Sequence, residues 1–332
     1  MRRFLTHILY SATAAACMLI HISCTGKDGY RKCEGIVWNT TYHIAYRCNQ
    51  DLSDSIMAVL DEVGKSLSAF DPASGISRIN DNSDLTADRH IATIISESQR
   101  ISRITGGAFD PTVAPLVKAW GFGQGHKATA DTLRIDSILR FTGISKVRIS
   151  EGRVIKEDPR TTFNFSAIAK GYGCDEIGRM LQRNRATDFL VEIGGEIRAS
   201  GKSSSGSRWR ISIDRPVFSS TEEIHDSQMI IATSDCGIAT SGNYRNYSGE
   251  GNNRKVHTIS PRTGMPVQTD ILSATIVAKT AMEADALATA CMVLGSRKAL
   301  RLTDSLGIPA MFILPGNECI INNKFKPLIY KQ

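Results

Sequence analysis

The chain has 332 residues, of which 42% are hydrophobic and 22% are charged, a balance typical of a globular protein with a sizeable core. Its formal net charge is +7, from 40 basic and 33 acidic residues that are dispersed along the chain. No stripe of lysine and arginine with interleaved aromatic residues is present, which argues against nucleic-acid binding.

The N-terminal segment predicts export. Two arginines near the start precede a largely apolar stretch over residues 8–22, and Cys24 follows a serine. A small residue before cysteine resembles a bacterial lipobox, although His21 stands where leucine is usual. We therefore predict a lipoprotein signal peptide over residues 1–23 and a single domain over residues 24–332. A lipid on Cys24 would anchor the protein to the membrane surface, facing the periplasm; secretion without a lipid is the alternative.

A β-hairpin is predicted next. Residues 36–38 and 42–46 read as strands around an Asn39–Thr40 turn. In such a hairpin the numbers of cross-strand partners add up to about 81, as those of Cys33 and Cys48 do. We therefore predict a disulfide between Cys33 and Cys48. The chain has no CxxC motif, so we do not expect a zinc site.

Apolar spacing predicts helices over residues 52–67, 91–104, 170–181 and 283–294, and a fifth that begins near Ser296 as its N-cap. Strands are predicted over residues 147–149, 189–193, 209–213, 229–233, 273–278 and 310–314. Helices and strands are intermixed without strict alternation. This order favours an α+β fold with a large mixed sheet and packed helices over a doubly wound nucleotide-binding fold.

The predicted helix over residues 283–294 carries a pair of oxygen-bearing side chains. Asp285 and Thr289 are four residues apart and therefore lie on one face, one turn apart. A carboxylate and a hydroxyl placed in this way can reach a hard cation such as Mg²⁺. The alternative is that Asp285 only interacts with the helix dipole and Thr289 bonds back to the helix.

Two glycine-containing segments could bind a nucleotide. Residues 164–173 lead small residues into a helix start that carries Lys170, an arrangement that can cradle a diphosphate. Residues 105–112 contain two glycines that allow close approach of a ligand, followed by aromatic residues at 120–122 that could cover a flat ring. The alternatives are a tight helix entry with a surface lysine, and a helix end with core aromatics.

Two later segments also carry candidate functional residues. His257 could accept a proton near neutral pH, or be a half-buried strand histidine. Residues 192–201 read as strand, glycine kink and strand, for which a structural bend is the alternative.

In this order, the segments resemble one family, the FAD:protein FMN transferases, also called the ApbE or thiamine-biosynthesis lipoprotein family. The resemblance covers roughly residues 37–314. It depends on successive blocks: Thr40-Thr41-Tyr42, Phe70-Asp71-Pro72, Ser77-Arg78-Ile79-Asn80, Gly106-Gly107-Ala108-Phe109-Asp110, Ala169-Lys170-Gly171-Tyr172, Gly194-Gly195-Glu196-Ile197-Arg198, Ala239-Thr240-Ser241-Gly242, residues 257–264 and Ala284-Asp285-Ala286-Leu287-Ala288-Thr289-Ala290.

The resemblance implies an ApbE-like domain similar to the tunnelling fold. It implies that Asp285, Thr289 and the backbone carbonyl of Ala167 hold Mg²⁺. It also implies a set of residues that contact the substrate FAD: Trp38, Ala108, Phe109, Asp110, Asn164, Lys170, His257 and Ile259. Two residues depart from the family pattern: Asn164 stands where an acidic residue is usual, and Trp38 stands where methionine is common.

The implied reaction is transfer of FMN from FAD to a Thr or Ser hydroxyl of an extracytoplasmic redox flavoprotein, with release of AMP. His257 and Asp285 are the candidate catalytic bases, and His257 is favoured because a Mg²⁺-bound carboxylate is a weak base. Two alternatives stay open: an FAD pyrophosphatase that uses water instead of a protein hydroxyl, and a non-catalytic lipoprotein that carries flavin.

Overall fold

The computed structural model describes residues 29–122, 131–216, 226–242, 247–248, 255–256 and 258–331. The predicted signal peptide, Cys24 and His257 lie outside the described residues. Within the described ranges, no helix combines the length and the apolar character that crossing a membrane requires.

The strands are β1 (Tyr30–Val37), β2 (Thr40–Arg47), β3 (Val147–Ser150), β4 (Arg153–Lys156), β5 (Phe189–Ile193), β6 (Glu196–Ser200), β7 (Trp209–Asp214), β8 (Ser227–Thr233), β9 (Cys236–Gly242), β10 (Tyr247–Ser248), β11 (Lys255–Val256), β12 (Ser273–Ala278), β13 (Ala310–Ile313) and β14 (Cys319–Ile321). The helices are α1 (Ser53–Leu67), α2 (Gly75–Asn80), α3 (Arg89–Ile104), α4 (Ala114–Ala119), α5 (Thr132–Leu139), α6 (Ala169–Arg183), α7 (Ala281–Leu294) and α8 (Ser296–Leu306).

Eight of the strands form one sheet in the order β1-β2-β5-β6-β9-β12-β13-β14. Each neighbouring pair in this sheet is antiparallel. The predicted α+β class with a large sheet is confirmed, but the sheet is antiparallel and not mixed. Two of the pairs follow from short connections, because β1–β2 and β5–β6 are each joined by a two-residue turn that only antiparallel strands can use.

The β1–β2 hairpin turns one residue earlier than predicted. Trp38 and Asn39 form the turn with φ of 50° and 61°, which matches the twist of a two-residue hairpin loop. In this register Cys33 lies opposite Ile44 and faces the core, with 3% of its surface exposed. Cys48 lies beyond the end of β2. The predicted disulfide is therefore wrong, and both cysteines are free thiols.

The predicted helices are present, with shifted starts near the C-terminal half. α7 begins at Ala281, two residues before the predicted start, because the hydroxyl of its N-cap Thr280 accepts a hydrogen bond from Glu283 N. Ser296 is not the N-cap of α8 but its first residue; Gly295, with φ of 75°, precedes it. Ser296 instead donates its backbone N–H and its hydroxyl to the carboxylate of Asp270.

The sheet lies between two layers. Helices α1, α6 and α7 pack on one face through residues such as Ile56, Ile177 and Leu287, all fully buried. The β7–β8 hairpin and the C-terminal segment cover part of the other face through residues such as Trp209 and Phe325. The turns that join β1 to β2 and β5 to β6 lie at the same end of the sheet, because Gly194 N donates to Thr41 O.

Candidate active site

The candidate site is built where helix α6 touches helix α7. Gly171 of α6 lies against the first turn of α7, and a Cβ at this position would be 2.3 Å from Ala281 O. Gly171 N donates a hydrogen bond of 3.1 Å to Asp285 Oδ2. The first amides of a helix have no partner within the helix, so Asp285 of α7 caps the start of α6 from outside.

Asp285 is buried, with 3% of its surface exposed. Burial raises the pKa of its carboxyl group, and the nearby Lys170 charge and the Gly171 N–H oppose this rise. No other hydrogen bond to this carboxylate comes from a described residue. A buried carboxylate with so few partners is suited to a cation.

Asp285 lines a cavity with a volume of about 420 Å³. The other two predicted metal ligands, Ala167 and Thr289, line the same cavity. Ala167 lies in the turn just before α6, and no described donor bonds its carbonyl oxygen. Thr289, one turn after Asp285, places its hydroxyl 3.1 Å from Ser241 Oγ of β9. Ala167, Asp285 and Thr289 therefore line one cavity, and their role as metal ligands stays a prediction.

These oxygens do not form a conventional cluster of acidic ligands. The described residues contain no group of three or more His, Cys, Asp or Glu side chains that could hold a metal ion. Mg²⁺, however, is commonly bound by one or two carboxylates together with substrate phosphates and water. One buried carboxylate, one hydroxyl and one carbonyl without a described donor fit that pattern.

Lys170 supplies the positive charge of the cavity. Its Nζ lies 2.6 Å from Glu196 Oε2, and Glu196 is 4% exposed. Burial raises the pKa of Glu196, the Lys170 charge opposes this rise, and the Asp285 charge adds to it. Burial alone would lower the pKa of Lys170, but attraction to Glu196 and Asp285 outweighs burial and holds that pKa above its usual range. Lys170 therefore remains an ammonium at neutral pH.

The Gly194–Gly195 turn holds Glu196 in place. Both glycines have positive φ, of 58° and 97°, which a residue with a side chain would adopt only with strain. Glu192 Oε1 accepts a hydrogen bond of 2.6 Å from Gly195 N, and its Oε2 lies 2.6 Å from His43 Nδ1. The segment is the bend that the sequence indicated, and it also brings a carboxylate to the site.

A second cavity of about 350 Å³ adjoins the first, and Asn164, Ser166 and Lys170 line both. Trp38 lines the second cavity and packs against two helical glycines. A Cβ on Gly64 would lie 2.9 Å from Trp38 Nε1, and a Cβ on Gly173 would lie 2.6 Å from Trp38 Cη2. The large indole therefore fits because both helices carry glycine at these positions.

The remaining predicted FAD contacts line the first cavity with differing roles. Ala108, Phe109 and Ile259 are almost fully buried, so the Phe109 ring is part of the core. Asp110 Oδ1 accepts hydrogen bonds from the backbone N–H and the hydroxyl of Thr112, and its Oδ2 accepts one from Ile144 N. Its carboxylate thus shapes the loop. The roles of His257 stay predictions.

Three polar residues of the region were not predicted. Glu196 and Ser241 line the first cavity, although both lay in segments quoted for the family resemblance. Asp175 is 2% exposed and accepts hydrogen bonds from Ala281 N and Met282 N, which fixes the start of α7. Asp175 stands five residues after Lys170, and no local sequence signal distinguishes it from a surface carboxylate.

Comparison with known proteins gives consistent matches. A family model described as the ApbE family matches residues 38–312. An FAD:protein FMN transferase of Vibrio cholerae is 33% identical over 334 residues, which cover 96% of this chain and 98% of the relative. An FAD:protein FMN transferase of Haemophilus influenzae is 31% identical over 324 residues, which cover 92% of this chain and 93% of the relative.

Comparison with solved structures agrees with these sequence matches. The flavin transferase ApbE from Vibrio cholerae superposes with a TM-score of 0.78 at 31% sequence identity, covering 90% of this chain and 99% of the other. The similarity therefore includes the elements that carry the candidate site.

Proposed function

This chain belongs to the ApbE family, and from this premise we propose that it transfers FMN from FAD to a Thr or Ser hydroxyl of an exported flavoprotein and releases AMP. The family predicted from the sequence is confirmed, and with it the enzyme class, a transferase. The observation that carries the proposal is the convergence of Ala167, Asp285 and Thr289 beside Lys170 in one cavity.

The proposed reaction balances as a phosphoryl transfer. The acceptor oxygen forms a bond to the FMN phosphorus, the bond from that phosphorus to the AMP phosphate oxygen breaks, and AMP leaves with the electron pair. The hydroxyl proton passes to a base, for which we propose His257. Asp285 is less suited, because its carboxylate already accepts the Gly171 hydrogen bond and is proposed to bind metal.

Asp285, Thr289 and the Ala167 carbonyl would hold Mg²⁺, which when bound neutralises negative charge on a diphosphate. Lys170 contributes a second positive charge, held in place by its ion pair with Glu196. A fixed ammonium in a partly buried site stabilises developing negative charge more strongly than a mobile one in water.

The two adjoining cavities support binding of a dinucleotide. Volumes of about 350 and 420 Å³ are each in the range of small-ligand sites, and Lys170 stands on the wall that they share. We propose that each cavity takes one half of FAD, so that the diphosphate between the halves passes the Lys170 ammonium. Asn164 lines both cavities, and its side-chain oxygen already accepts a hydrogen bond from Ser166 N.

We further propose that the protein works outside the cytoplasm, attached to the membrane through a lipid on Cys24. The support is the sequence of the first 28 residues. Its partner would be the flavoprotein subunit that carries the acceptor hydroxyl.

The experiment that tests the function is covalent labelling. The protein is incubated with FAD, Mg²⁺ and a candidate acceptor, and we expect a fluorescent flavin band that survives denaturation, with one AMP released per labelled acceptor. An acceptor with its Thr replaced by Val, and a reaction with chelator, should give no band. AMP release without any labelled acceptor would contradict the transferase and favour the pyrophosphatase.

A further inference from the structure

The end of α6 that lies away from the candidate site carries a group of arginines. α6 runs from Ala169 to Arg183, so its two ends are about 21 Å apart at a rise of 1.5 Å per residue. At the far end lies a polar cavity of about 620 Å³, lined by Arg47, Arg183 and Arg185 among other residues. Arg31 lies beside it, bonded to the carbonyl of Cys48. We call Arg31, Arg47, Arg183 and Arg185 the arginine surface.

Half of this charge is already compensated. Arg47 pairs with Asp188 at 3.6 Å, and Arg31 pairs with Asp51 at 4.0 Å and donates hydrogen bonds to the carbonyl oxygens of Cys48 and Asn49. Arg183 and Arg185 are exposed, and their side chains make no hydrogen bond or ion pair with any residue in the described ranges. These two guanidinium groups are therefore available to an external anion.

Arg185 has a backbone conformation that is unusual for a residue with a side chain. Arg185 has φ of 62° and stands just after the end of α6, where its N–H bonds Gln182 O and the next N–H, of Ala186, bonds Leu181 O. Glycine is the usual residue at this position of a helix end, because a side chain is strained there. An arginine at a strained backbone position points to a function of its side chain.

We propose that the arginine surface binds the phosphate headgroups of an anionic membrane surface. Gly29, where the described chain begins, lines the same cavity. Cys24 is only five residues earlier, so a lipid there would lie within about 17 Å of Gly29. The choice of occupant rests on the lipid anchor proposed above, and the positive charge complements the phosphates.

This orientation sets the position of the reaction. With the arginine surface against the bilayer, the start of α6 and the cavity beside Lys170 lie up to about 21 Å further from the headgroups, the length of the helix. The candidate site would then lie at the end of α6 that is remote from the headgroups.

The test uses the whole mature chain exported without a lipid, so that no acyl group contributes. Its binding to phosphatidylcholine vesicles with and without phosphatidylglycerol is measured by co-sedimentation at low and high salt. We expect salt-sensitive binding only to the phosphatidylglycerol vesicles. The double variant Arg183→Ala with Arg185→Gly should bind about 30-fold more weakly, from two lost charges. The matched control, Arg297→Ala with Arg301→Ala, removes two exposed arginines of α8 and should bind like the parent.

Thermal unfolding separates this role from a structural one. Because glycine relieves the strained backbone at residue 185, Arg185→Gly should leave Tm unchanged or raise it while membrane binding falls. Equal binding by both double variants, or no preference for phosphatidylglycerol, would overturn the proposal. Arginine-dependent binding of inorganic phosphate without vesicle binding would also overturn it. No FAD is present in these assays, so their failure leaves the proposed transferase activity untouched.

Discussion

Replacing Gly171 with alanine should damage both the fold and the site. A Cβ at this position would lie 2.3 Å from Ala281 O and 2.9 Å from Met282 N, and both are backbone atoms that no side-chain rotation can remove. Ordinary contact begins near 3.4 Å, so the start of α7 must move by about 1 Å. Overpacking of this kind costs about 1–3 kcal/mol, against which alanine in a helix contributes about 0.5–1 kcal/mol.

We therefore expect Gly171→Ala to lose about 1–2 kcal/mol of unfolding free energy, measured by urea denaturation. Asp285 lies one turn after the displaced contact, and a displacement of 1 Å can cost about 100-fold in rate, so FMN transfer should fall by about that factor. Gly178→Ala is the matched control on the same helix, since its Cβ would meet only side-chain atoms, of Arg198 at 3.1 Å and Phe189 at 3.3 Å. Equal losses in both variants, or none in Gly171→Ala, would refute the reasoning.

Asp285→Asn should reduce FMN transfer by at least about 100-fold and abolish its response to Mg²⁺. An unaltered Mg²⁺ titration in this variant would show that Asp285 is not a metal ligand. Thr289→Val should raise the Mg²⁺ concentration needed for half-maximal rate. Lys170→Gln should weaken FAD binding by about 10- to 100-fold, the range for a lost charge-assisted hydrogen bond. The dissociation constant is measured by fluorescence titration, and an unchanged value would contradict the proposed contact between Lys170 and the diphosphate. Burial raises the pKa of Asp270, but hydrogen bonds from Ser296 outweigh burial and lower it. The stability that Asp270 contributes should therefore be present above its unfolded pKa near 3.8 and be lost as pH falls through the lower folded pKa. Denaturation midpoints of Asp270→Asn and the parent should differ at pH 7 and converge in acid, and a constant difference would show that the charge is not responsible.

Local sequence patterns were sufficient to predict the helices and strands whose apolar residues recur at a regular spacing. The apolar spacing of α1 and α3 and the run of β5 gave correct positions, because their burial follows directly from periodicity. The pair Asp285 and Thr289 was found for the same reason, since four-residue spacing fixes a shared helix face.

The rest depends on pairings between distant segments. Glu196 reaches Lys170 only because β6 pairs with β5 and α6 packs over them, so the residues of this ion pair are brought together by the fold. Ser241 meets Thr289 from β9, 48 residues earlier. The hairpin register was wrong because the turn uses Trp38 at positive φ, a conformation that bulky residues rarely adopt and that sequence patterns do not predict.

The hydrogen bond from Gly171 to Asp285 offers a way to observe the site without a substrate. This amide is protected by a side chain of a neighbouring helix and not by its own helix, so it can exchange with deuterium only when α6 and α7 move apart. The amide of Tyr172, which bonds Ile168 within the first turn of α6, reports fraying of α6 alone. Comparing the exchange of these two neighbouring amides would therefore measure how often the ligand-bearing wall opens.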